Sequence, residues 1–191
     1  MTNDDRSHIG KGIVRSASMF SQSDLVGCAM TLWPLIDDTA KAETGEGNVG
    51  ARIRAFLNGY DVIITYIALG TVISQSTASG GTLFDVLYKE SRNSISHEGR
   101  ESSIIEWTSD GTLEFGIGQN PNAPQSHRLP DHILYGLITA VVLAPCNKNA
   151  GPVGPDYGMQ LGQLGTKHKL DDLWGQRDQV MQQIRSKFGA V

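Results

Sequence analysis

The sequence is short of several things, and each shortage excludes a class of protein. It has two cysteines, Cys28 and Cys146, among 191 residues. That is too few for a disulfide framework, and both are expected as reduced, buried thiols. It has no apolar run long enough to span a bilayer. The longest, Ile133 to Pro145, is short and holds Gly136 and Thr139. It has no excess of positive charge either, with 16 Lys and Arg against 20 Asp and Glu and a formal charge of -4. A broad non-specific nucleic-acid surface is thereby excluded, although a few local cations suffice for one or two phosphates. Met1 to Lys11 is polar and lacks the apolar segment of a secretion signal. By elimination, the expectation is a cytoplasmic protein with no membrane partner.

Familiar chemical motifs are missing as well. There is no Gly-rich loop followed by Lys and Ser or Thr, hence no phosphate cradle of that kind. Gly45, Gly47 and Gly50 have no strand ahead of them, so no dinucleotide fingerprint is supported. No Gly-x-Ser-x-Gly elbow exists. His127, Asp131 and His132 imitate a ligand cluster, but no Cys or His pair has metal-ligand spacing, and a polar helix start explains them better. We therefore expect no metal and no other cofactor.

What is present is ordinary globular material, with 39% hydrophobic and 19% charged residues, enough for one core. Residues 1–18 read as a flexible tail and 19–191 as one mainly helical domain. Leu25, Ala29, Leu32, Trp33, Ile36 and Ala40 share a helical face, with Ser21 and Ser23 as N-cap candidates and Pro34 as a kink or break. Residues 51–68 predict a second helical region that Gly59 divides, and Val62 to Tyr66 is read there as helix rather than strand. Residues 74–81 read as a loop of small residues, and 82–97 predict a third helix. Ile104 to Thr108 and Thr112 to Ile117 flank Asp110-Gly111, which predicts a β-hairpin. Residues 129–143 predict a helix with almost no polar face, hence the central one. Residues 149–166 are a Gly- and Pro-rich surface loop, and Leu170 to Phe188 a last amphipathic helix. Trp33 and Trp174 fall on apolar faces and read as core, and Trp107 as a cross-strand packer.

Chemistry concentrates in Arg92-Asn93-Ser94-Ile95-Ser96-His97. On an α-helix Asn93 and His97 share a face, whereas Arg92 and His97 lie about 140° apart around the axis. One helix presents that pair poorly to one ligand, but two copies meeting at a two-fold axis present two Arg and two His to one cleft. The Asn93 amide would hold the His97 imidazole in one orientation. His takes a proton from a ribose 2'-OH near neutral pH, and Arg holds the phosphate and the charge that develops on it. Spacing alone equally allows Arg92 and His97 to solvate a helix end before Gly99. Arg52 and Arg100 would add positive charge for RNA, although Arg52 and Arg54 also fit a solvated helix face.

Lys89-Glu90-Ser91-Arg92-Asn93-Ser94-Ile95-Ser96-His97-Glu98-Gly99 resembles the signature of HEPN domains: Arg, a polar residue often Asn, three more residues, then His. Leu32 to Ala40, Gly50 to Leu57, the segment after the His, and Leu129 to Asn147 are also similar to bacterial members. The likeness spans roughly residues 20–147, and its specific part is the six-residue motif. The resemblance implies a helical bundle, with the hairpin inserted after the motif helix, that forms a homodimer through that helix. It implies a metal-independent endoribonuclease of the toxin or antiviral kind, with Arg92 and His97 as the catalytic pair and Asn93 at the polar motif position. RNA or a nucleotide is the implied ligand, and a protein antitoxin or regulator a further partner. Where some HEPN toxins carry a Tyr modified by a partner nucleotidyltransferase, this chain has Gly99. Other members are non-catalytic modules that bind a nucleotide, RNA or a protein, and that is the alternative expectation.

Overall fold

A computed structural model describes residues 7–45, 47–72, 77–78, 81–92, 103–117, 126–151, 157–160 and 167–189. The protein is mainly helical. Helix α1 (His8–Ser21) opens on Ser7, whose hydroxyl oxygen accepts the Gly10 N–H at 3.2 Å. Helix α2 (Leu25–Thr44) opens on Asp24, whose carboxylate accepts the Gly27 N–H at 2.9 Å. It continues through Pro34 and stops at Gly45, where φ is 78°. Asn48 caps α3 (Val49–Gly59), and Tyr60 separates it from α4 (Asp61–Leu69). The division at Gly59 and the helical state of Val62 to Tyr66 agree with the sequence.

The expected tail at residues 1–18 is corrected. From His8 onward it is α1, which buries Ile9, Ile13 and Ala17. Those residues recur every four positions, with Val14, Met19 and Phe20 packed beside them, and the polar start of the chain hides this stripe. Ser7 also donates its hydroxyl to the Ala150 carbonyl at 2.9 Å, which ties the start of α1 to the far end of the core.

The expected hairpin is also corrected. Strands β1 (Thr77–Ala78) and β2 (Gly81–Thr82) pair antiparallel within the stretch read as loop. Further on, β3 (Ile105–Thr108) and β4 (Glu114–Ile117) do not pair with each other. Strand β5 (Ser126–Pro130) lies between them, parallel to β3 and antiparallel to β4. The turn chemistry is as expected, with Gly111 at φ 79° and the Asp110 carboxylate accepting the Thr112 N–H at 2.9 Å. However, the Thr108 hydroxyl donates to the Thr112 carbonyl at 3.0 Å, which holds the turn wide rather than closing a ladder. Arg128 then sits between two acids, 3.5 Å from Glu106 on one neighbour and 3.5 Å from Glu114 on the other. Assigning Leu129 and Pro130 to a helix missed this central strand.

Helix α6 (His132–Leu143) is the centre of the molecule, and nearly every residue from Ile133 to Leu143 is buried. It packs along α4 and also touches α1 and α2. The crossing with α4 is close because Gly136 has no side chain: a Cβ there would lie 2.8 Å from the Ile64 carbonyl oxygen and 3.2 Å from its Cα. Thr139 stays apolar outwardly by donating its hydroxyl to the Tyr135 carbonyl at 2.9 Å. Asn147, in the 3-10 turn Pro145–Asn147, ends the helix by donating to the Val141 carbonyl at 2.8 Å and to the Thr39 hydroxyl of α2 at 3.0 Å.

Strands β6 (Gly158–Gln160) and β7 (Lys167–Lys169) pair antiparallel, so part of the expected surface loop is strand, while 152–156 and 161–166 lie outside the described residues. The last predicted helix is two pieces, a 3-10 turn Leu170–Leu173 and α7 (Arg177–Phe188), parted at Gly175 with φ 71°. Arg177 docks α7 by donating to the Gly59 carbonyl at 2.7 Å and lying 4.7 Å over the Tyr60 ring. Cys28 is buried as expected, but Cys146 is exposed as a residue. Desolvation of its sulfur pushes the thiol up, the opposite of what a reactive cysteine needs. Among the described residues no helix is long and apolar enough to cross a membrane.

The α4–α6 crossing gives a direct test. Gly136→Ala forces a methyl against backbone, and overpacking of that kind costs about 1–3 kcal/mol. Thermal unfolding followed by circular dichroism should show Tm lower by about 2–10 °C for a domain of this size. An unchanged Tm would mean that the two helices separate without cost.

Candidate functional site

The candidate site grows from the turn that leads into the motif. Helix α5 (Leu83–Val86) does not continue as the expected regular helix. It passes into a π-helical turn, Leu87–Arg92, and residues 93–97 lie outside the described residues. A π turn is one residue wider than an α turn and is found mostly as single turns at functional positions. Here it buries Leu87 and Ser91.

Ser91 is held from below. The buried Trp33 of α2 donates its indole N–H to the Ser91 hydroxyl at 3.1 Å. Trp33 is core, as its apolar face predicts, but it is also an anchor for the residue just before Arg92. Arg92 and Tyr88 are four apart, and the Arg92 guanidinium lies 5.7 Å from the Tyr88 ring centroid. Arg54 of α3 lies 4.5 Å from the same centroid. Arg54 also pairs with Asp85 of α5 at 3.2 Å. Gly50, one turn before Arg54, makes room for the phenol, because a Cβ there would fall 2.8 Å from the Tyr88 hydroxyl.

The predicted site residues therefore divide. Arg92 is placed, half-buried against Tyr88. Asn93, His97 and Arg100 lie outside the described residues. Arg52 is occupied by Asp37 in a fork, with Nε at 2.7 Å and a second nitrogen at 2.9 Å, and it donates a third bond to the Gly47 carbonyl. Such a bidentate pair is a strong local tie between α2 and α3. Tyr88 and Asp85 were not singled out from sequence, and Arg54, read with Arg52 as a phosphate ligand or a solvated helix residue, is paired with Asp85 and the Tyr88 ring. The signal was there in the four-residue spacings of Gly50 with Arg54 and Tyr88 with Arg92.

The histidines are separate. His127 is on β5, where burial lowers its pKa while Glu90 acts to raise it. His132 opens α6 and shares its Nδ1 proton with Asp131 at 2.7 Å. Among the described residues no three His, Cys, Asp or Glu side chains gather as metal ligands.

Ser91→Ala leaves a buried indole N–H without its partner, and an unmet buried donor costs about 1–3 kcal/mol. The expected result is a lower denaturant midpoint, with faster amide exchange in Leu87–Arg92 than in α6. Equal exchange in both segments would show that the Trp33 bond does not hold the turn.

A family model described as Rv1289 matches residues 8–189 of the chain. No curated protein and no solved structure is significantly similar to the chain. Since the match takes in nearly all of its 191 residues, the chain belongs to the Rv1289 family.

Proposed function

We propose that the protein is a metal-independent endoribonuclease of HEPN type, a helical bundle acting as a homodimer, in toxin or antiviral defence. The observation that carries the reading is Arg92: it ends a π-helical turn whose preceding residue is anchored by Trp33, and its guanidinium rests against Tyr88. An anchored Arg is suited to hold a phosphate, since the planar guanidinium loses little freedom on forming paired bonds. In this reading His97 takes the proton from the ribose 2'-OH, and the freed oxygen attacks the adjacent phosphorus. The 5'-oxygen leaves with a proton returned by an imidazolium of the composite cleft, and the products are a 2',3'-cyclic phosphate and a 5'-hydroxyl. Arg92 stabilises the charge gathered on the phosphate oxygens. Asn93 orients His97, and Arg100 adds positive charge along the RNA.

A second reading is a non-catalytic module of the same type, binding a nucleotide, RNA or a protein partner such as an antitoxin or regulator. The observation favouring it is that both arginines of α3 carry carboxylate partners, Arg52 with Asp37 and Arg54 with Asp85. Neither adds net positive charge to that face, in keeping with the acidic balance of the chain.

One experiment separates the two. Purified protein is incubated with tRNA and mRNA in excess EDTA, beside His97→Ala and Arg92→Ala. The expected result is fragments ending in 2',3'-cyclic phosphate, with His97→Ala slower by about 10²–10⁴-fold, the usual worth of a general base. Undiminished cleavage by His97→Ala overturns the ribonuclease reading. Intact RNA that is nevertheless bound saturably identifies the second.

A further inference from the structure

A cavity of about 840 Å³ opens on elements other than the Arg92 turn. It lies between the end of α1, the end of α4, the β3–β4 turn, the start of α6 and the approach to β6. Its volume is that of a small-molecule site. One wall is aromatic and continuous. The Phe20 ring of α1 lies 5.5 Å from Tyr135 and meets His132 edge-on at 5.9 Å, and Tyr157 lines the same space. Tyr135 is fixed in place, because its hydroxyl donates to the Gly158 carbonyl, and the burial of its phenol pushes the pKa up to about 12. The wall is thus set before any ligand arrives, which reduces the ordering cost of binding.

Among the described residues lining this cavity the one carboxylate is Asp110. It lies in the β3–β4 turn, and the Thr112 side chain and backbone N–H hold its carboxyl below the usual range. His132 lines the cavity too. An ionised carboxylate only accepts hydrogen bonds, so the Asp131 contact at 2.7 Å assigns a proton to His132 Nδ1. Among the described residues no Lys or Arg lines the cavity. A ligand carrying phosphate or carboxylate would meet the Asp110 carboxylate, whose neighbouring cation, Arg128, is shared with Glu106 and Glu114. A ligand offering positively charged donors meets an anion and several aromatic faces, the surroundings that attract a cation carried on an apolar body.

We propose that this cavity is a binding site for a cationic aromatic amine, with Asp110 taking the ammonium group and the Phe20–Tyr135–Tyr157 wall taking the ring. Its recognition is independent of Arg92 and His97.

The test uses the full chain and two probes that share a ring and differ in charge, tryptamine and indole-3-acetate, in isothermal titration calorimetry. Tryptamine is expected to bind saturably, and indole-3-acetate at least about tenfold more weakly, a difference of about 1.4 kcal/mol. Asp110→Asn keeps the turn, since Asn makes the same side-chain bond to the backbone. It should weaken tryptamine by a similar factor with Tm unchanged. His97→Ala should bind tryptamine as the natural chain does. Equal binding of the two probes, unaltered tryptamine binding in Asp110→Asn, or no saturable tryptamine signal up to about 10 mM, the millimolar range of the weakest specific ligands, each overturns the proposal.

Discussion

The rest of the molecule depends on two helices crossing without a side chain between them. Gly136 of α6 presses against the backbone of Ile64 in α4, and that contact sets how closely the two most apolar helices approach. Interiors are packed to crystal-like density, so the spacing at one crossing is felt by every neighbour. Helices α1 and α2 lie against the same central helix. Asn147 then fastens its far end to α2, and Arg177 brings α7 onto the junction of α3 and α4.

The Arg92 turn is built outward from that core. Leu87 and Ser91 face in, and Tyr88 and Arg92 face α3. The wider π winding is what lets a buried Ser meet the Trp33 indole while its neighbour reaches the Tyr88 ring. The site is therefore held by one polar bond from below and by aromatic contact from the side. Arg54 is shared between the same ring and Asp85, which binds α3 to α5 at this place.

How much of this was legible in the sequence varies with the element. Helices α2 and α4 and the central α6 were readable, because their apolar residues are dense and their periods clear. Val62 to Tyr66 was decided by its helical neighbours against its β-branched composition, and the structure agrees. Helix α1 was missed because the polar first residues of the chain read as a tail, although Ile9, Ile13, Val14, Ala17, Met19 and Phe20 form an apolar stripe along it. Strand β5 was not readable either, because its place is set by backbone pairing with β3 and β4, partners distant in the chain. Sequence identified the Asp110-Gly111 turn but not the third strand that separates its arms. At the candidate site, Arg92 was legible from its motif, whereas the occupation of Arg52 by Asp37 is a tertiary fact that no local spacing announces.

Strand β5 ends at Pro130 and α6 begins at His132, so a single residue, Asp131, joins the middle of the sheet to the middle of the helices. That residue is itself gripped, its N–H donating to the Thr108 carbonyl and its carboxylate accepting from the His132 ring. Such a joint is too short to bend. The sheet cannot slide along its strands without driving α6 lengthwise past α4, where Gly136 has no clearance to give. Strand register and helix crossing are thus joined through Asp131, so that β5 and the Gly136 contact share one short piece of backbone.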